Sequence, residues 1–142
     1  MNTLNTRNPS TQGKLLMWIG ILLIALEGLI HLFDAPDSFD DATYLGLLFV
    51  AIVIGAALAS IGIYRGQTWG WSLGALTAGS AFIGYIISRT TGLPGLPVEE
   101  WLEPLGVLSL LVEGLFVGLY LVVPLYLVVP IPRRTPPRNK AY

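Results

Sequence analysis

The chain has 142 residues, of which 54% are hydrophobic and 12% charged, with a formal net charge of −1 and no cysteine. Mean hydropathy is +0.68. That balance does not suit a soluble domain, and the missing cysteine excludes disulfides, thiolate metal sites and thiol nucleophiles. No G-x-G-x-x-G or P-loop stretch occurs, so nucleotide binding finds no support and no nucleic-acid partner is expected.

Residues 1–13, with Asn, Thr, Ser and Gly, read as a flexible cytoplasmic arm. A four-helix transmembrane unit is expected over residues 14–130. Its apolar segments run about 15–33, 44–64, 69–88 and 105–123. Each is close to the ~20 residues that cross a hydrocarbon core of ~30 Å. A signal peptide is the competing reading of the first segment, because Lys14 precedes it. No small-residue cleavage site follows, and Asp34, Pro36 and Asp37 come directly after.

Charge assigns the orientation. Arg7 and Lys14 precede the first segment, Arg65 lies between the second and third, and Arg133, Arg134, Arg138 and Lys140 follow the fourth. The opposite connections hold Asp34, Asp37, Asp40 and Asp41, then Glu99, Glu100 and Glu103, with Arg89 the one base. The positive-inside rule therefore predicts both termini in the cytoplasm and residence in the cell membrane. Trp18, Tyr64, Trp69, Trp71 and Tyr126 are expected at the inner interface, Tyr44 and Trp101 at the outer one.

Within the spans, Ala51, Gly55 and Ala59 recur every fourth residue, and Gly74, Thr77, Ala81, Gly84 and Ser88 form a second small-residue stripe. Both patterns predict close helix contact, inside one bundle or in a homo-oligomer. The connection "RTTGLPGLPVEEWLEPLG" cannot form regular helix through its two Gly-Leu-Pro units. It reads either as a structured outer cap or as an ordinary exposed loop. In "LYLVVPLYLVVP", Pro124 is expected to kink or end the fourth helix, leaving Tyr126 along the membrane surface. Residues 131–142 form a basic, Pro-rich cytoplasmic tail.

The polar residues at membrane depth carry the functional reading. Glu27 and His31, the only histidine, are four apart and share one helix face, which Asp34 continues outward. Counting inward at 1.5 Å per residue puts Glu27 about 10 Å, and Glu113 roughly 13 Å, below the outer boundary. Ser109 falls near the level of His31, and Tyr85, Ser88 and Arg89 approach it from the third segment. A charged carboxylate at the centre of a span costs about 2.5–3.5 kcal/mol, so both glutamates are expected to face inward.

Three uses of the cluster stay open. One is structural, Glu27 or Glu113 pairing with Arg89 or His31 inside an accessory or assembly subunit of a larger membrane complex. A second is an ion site, with Glu27, His31, Glu113 and Asp34 as ligands for Zn, Mn, Fe or Cu(II). There Arg89, Ser109 and Tyr85 support the ligands or hold a cofactor, in a membrane redox or transport process. Proton handling by the same acids belongs to this reading. A hydrolase built on Ser109, His31 and a carboxylate is the third, and it lacks a nucleophile elbow. With one histidine, haem survives only if shared across a dimer or held by a single protein ligand. No reaction or substrate follows.

The strings "EGLIH", "DAPDSF", "SRTTGLPG", "EEWLEPLG" and "SLLVEG", taken together, resemble a group of small prokaryotic four-helix membrane proteins of no assigned activity. The resemblance spans about residues 15–123. It implies membrane residence and a site in the outer half of the bundle.

Overall fold

The computed structural model describes residues 11–128, which form four α-helices and their connections. They are α1 (Thr11–Asp41), α2 (Thr43–Tyr64), α3 (Thr68–Thr90) and α4 (Pro104–Val128). All four are long and apolar enough to cross a membrane. Leu22, Phe33, Leu76 and Leu121, each about two-thirds exposed or more, turn toward the lipid. The protein is an all-α, multi-pass membrane bundle. Residues 1–10 of the arm and the whole 131–142 tail lie outside the described residues, as does the side chain of Tyr126.

Two helices run further than their apolar cores. α1 continues through Pro36 to Asp41 rather than ending near Phe33. Pro36 lacks the N–H that would bond the carbonyl four residues back, but its side chain is exposed and its neighbours still coil. Ser38 Oγ donates to the Asp34 carbonyl at 3.0 Å, adding a bond in the same turn. The turn to α2 is a single extended residue, Ala42 (φ −161°, ψ 133°). Its N–H donates to Ser38 O and its carbonyl accepts from Leu45 N–H, each at 3.0 Å. α4 likewise passes Pro124 and is described as far as Val128.

The opposite turn, from α2 to α3, uses Gly66 at φ 69°, a left-handed conformation that side chains disfavour. It lets the helices cross almost backbone to backbone. A Cβ built on Gly70 would lie 2.5 Å from the carbonyl carbon of Gly62. Such approach between small residues is how helices associate in lipid, where no hydrophobic force separates protein from solvent.

α1 packs on α2 and α4, α2 on α3, and α3 on α4. α1 and α3 barely meet across one diagonal, and α2 and α4 stay apart across the other. The half of the bundle remote from the acidic connections is filled by Ile24, Ala56, Ala59, Ile63, Ala78 and Phe116. Trp71 packs on this core, stacked on Phe116 with ring centroids 6.0 Å apart. The other half is hollow.

Candidate metal centre

The helical repeat puts Glu27 and His31 one above the other on α1, both turned into the bundle. Glu27 is completely buried and His31 nearly so. Beside Glu27, Gly28 admits α2, since a Cβ there would meet Ala56 Cβ at 3.0 Å. Gly114, which likewise follows a glutamate, Glu113, has only ordinary contact with Phe82. α4 runs antiparallel to α1 and brings Glu113, 1% exposed, to the same level. One ligand atom each from Glu27, His31 and Glu113 fall within 4.8 Å of one another.

Hydrogen bonding fixes what these groups present. His31 Nδ1 lies 3.0 Å from the carbonyl oxygen of Glu27. A proton on Nδ1 donates to that carbonyl and leaves the Nε2 lone pair facing Glu113, whose Oε1 is 3.8 Å away. The ring is further held edge-on by Phe49, centroids 4.8 Å apart. Ser109 Oγ donates to Glu113 Oε1 at 2.5 Å, one turn away on α4. Both oxygens of Glu27 and Oε2 of Glu113 are buried and find no donor among the described residues. With both carboxyls ionised, the centre is a cluster of acceptors around one imidazole lone pair.

Such a donor set suits a cation. Carboxylate oxygens and imidazole nitrogen bind Zn, Mn, Fe and Cu(II) in preference to soft Cu(I). Zinc–ligand bonds of ~2.0–2.2 Å place tetrahedral ligands about 3.4 Å apart, so binding would draw the three side chains together by somewhat over an ångström at most. The Ser109 hydroxyl and the Glu27 carbonyl hold Glu113 and His31 from behind, as partners of metal ligands commonly do.

Arg89, Tyr85 and Asp34 stand above this cluster. Arg89 Nη1 pairs with Glu99 at 2.5 Å and Nη2 with Glu103 at 3.2 Å, while Nε donates to the Glu100 carbonyl at 3.2 Å. Its guanidinium lies 3.8 Å from the centre of the Tyr85 ring, and Tyr85 OH donates to Trp101 O at 2.7 Å. These bonds tie α3 to the connection leading into α4. Both carboxylates that pair with Arg89 thus belong to the loop, with Ser88 Oγ of α3 accepting from Nη1 at 2.6 Å, whereas at the centre it is His31 that faces Glu113. In the same connection Glu99 N–H donates to Ser88 O at 3.0 Å, and Tyr44 OH of α2 donates to Pro94 O at 2.8 Å. Asp34 lines the space between this end and the centre, half-buried.

That space is a cavity of about 830 Å³, lined by His31 and Glu113 at its depth and by Arg89, Glu99 and Glu103 at its mouth. Glu27 is not among the lining residues and backs the other two. The pairing of Arg89 with Glu99 and Glu103 was not read from the sequence, although one base beside three acids in a short connection is its signal. Phe49, a plain aromatic in an apolar run, gave none.

No protein-family model matches the chain, and neither a curated protein nor a solved structure does.

Proposed function

We propose that this protein binds one divalent metal ion inside the bilayer, through Glu27, His31 and Glu113, in the service of a membrane redox process. The observation that carries this reading is three buried carboxylate oxygens without a partner, on the two glutamates whose ligand atoms lie within 4.8 Å of each other and of His31. Internal glue accounts for Glu113, which accepts from Ser109, and leaves the Glu27 side chain unexplained. Three protein ligands with a cavity before two of them leave coordination positions free, the arrangement of reactive rather than structural sites. Segregation of basic residues to one set of connections supports placing the acidic mouth outside the cell membrane, with both termini cytoplasmic.

The test is metal analysis of the protein purified in mild detergent, alongside Glu27→Gln and His31→Ala. About one equivalent is expected in the wild type and none in either variant. Failure of the folded wild type to take up zinc, manganese, iron or copper at micromolar free concentration refutes the proposal. Ion flux across reconstituted vesicles that depends on Glu113 would replace redox service with transport.

A further inference from the structure

The cavity is not open only at its acidic mouth. Its wall between α2 and α3 includes Leu48, Ala51, Leu76 and Ser80, all exposed and all within membrane-spanning helices. These two helices touch closely toward their other ends, at Gly62 and Gly70 and again where Gly55 meets Thr77. Further along, Gly84 lines the cavity, and a Cβ built on it would meet nothing within 4 Å. The small-residue stripe thus packs over half its length and borders open space over the rest. The result is a seam leading from the apolar lipid region to Glu113 and His31.

We propose that this seam and cavity bind an uncharged, membrane-soluble molecule of the quinol class, its hydroxyl head at Glu113 and His31 and its apolar tail passing between α2 and α3. The volume, about 830 Å³, lies in the range of pockets that enclose ligands of that size. Entry through the span selects a molecule dissolved in lipid. The depth of the cavity, where His31 and Glu113 line it, offers acceptors, the His31 Nε2 lone pair 3.8 Å from Glu113 Oε1 and Glu113 Oε2 without a partner, so the head must bring O–H donors. Charge selects against anionic lipids. Arg89 is the lone cation among the lining residues and is taken by Glu99 and Glu103, while Asp34, Asp37 and Asp41 add negative charge. This inference shares two residues with the proposed metal centre but needs no ion, because the same acceptors can face a hydroxyl.

The test is equilibrium binding to chelator-treated protein in lipid nanodiscs, kept anaerobic, with empty nanodiscs as the blank. A decyl-tailed benzoquinol is compared with the matching quinone, which lacks the donors, and with decanoate, which carries a charge. The quinol is expected to bind at least about tenfold more tightly than either, since a site of unpaired acceptors discriminates strongly against a ligand without donors. Gly84→Phe, which fills the seam, should weaken quinol binding by a similar factor. Gly79→Phe, on the same helix with open space around it but away from the cavity, should leave binding unchanged. Equal binding of quinone and quinol, tighter binding of decanoate, or indifference to Gly84→Phe overturns the proposal. Metal titration of the Gly84→Phe variant should still give one equivalent, so failure of one proposal does not register as failure of the other.

Discussion

The sharpest consequence of the acceptor cluster concerns stability. Replacing Glu27 with Met keeps an unbranched side chain of similar volume and removes both donor-less oxygens. A buried polar group left without a partner costs about 1–3 kcal/mol, so Glu27→Met should stabilise the chelator-treated bundle by roughly that amount. A metal reverses the order. Binding only to the folded wild type at a hundred times its Kd adds about 2.7 kcal/mol, whereas the variant gains nothing. Unfolding by sodium dodecyl sulfate in mixed micelles, followed by circular dichroism with and without zinc, measures all four states. A Glu27→Met protein less stable than wild type by more than about 1 kcal/mol in chelator would refute the reasoning, because a carboxyl that costs so much to remove must be bonded. The polar cluster would then be glue.

Other consequences follow from single contacts. Ser109→Ala leaves Glu113 Oε1 without its donor and should lower metal affinity about 10–100-fold while the fold persists, as competition with a fluorescent chelator can show. Metal affinity should fall as pH falls, because His31 must be neutral and the carboxyls ionised to act as ligands; a flat profile between pH 8 and 5, a range set at roughly physiological values, contradicts the ligand set. Gly70→Ala drives a methyl group into the backbone of Gly62 and should destabilise by about 1–3 kcal/mol, against near neutrality for Gly118→Ala, which meets open space. Arg89→Gln loses both loop carboxylates and should raise hydrogen exchange at residues 92–103 with little change in metal content.

The helices were legible because a bilayer constrains sequence more than water does. A span needs about 20 apolar residues, and so four spans could be counted. The cost of a carboxylate in lipid also made Glu27 and Glu113 conspicuous, and fourfold spacing tied His31 to Glu27. The α1 extension to Asp41 was not legible, because DAPDSFDD has the composition of a loop and only its exposed Pro36 and one-residue turn allow a helix. Nor was the division of labour among small residues. Gly74 receives Phe116, whereas Gly84 on the same stripe receives nothing, and no local property separates the two. That difference depends on the facing helix, α4, which sets the Phe116 ring against Gly74 and brings nothing within 4 Å of Gly84.

The contrast between the two halves of the bundle bears on what kind of process the centre can serve. Toward the acidic end, two of the three proposed ligands, His31 and Glu113, border a cavity that opens at the mouth and along exposed residues of α2 and α3. Toward the other end, the way is closed by Ile24, Ala59 and Phe116, all fully buried, with Ile24 one turn of α1 from Glu27. An ion crossing the membrane would have to part a core packed at the density of protein interiors, with only apolar atoms to replace its hydration. A centre served from one side needs no such movement, because ligands, protons and a lipid-borne reductant all reach it through the hollow half. Phe116→Ala separates these cases: removing the ring opens the packed half, so a transporter would leak or quicken, while a one-sided centre would keep its metal and its quinol affinity and lose about 3–5 kcal/mol of stability.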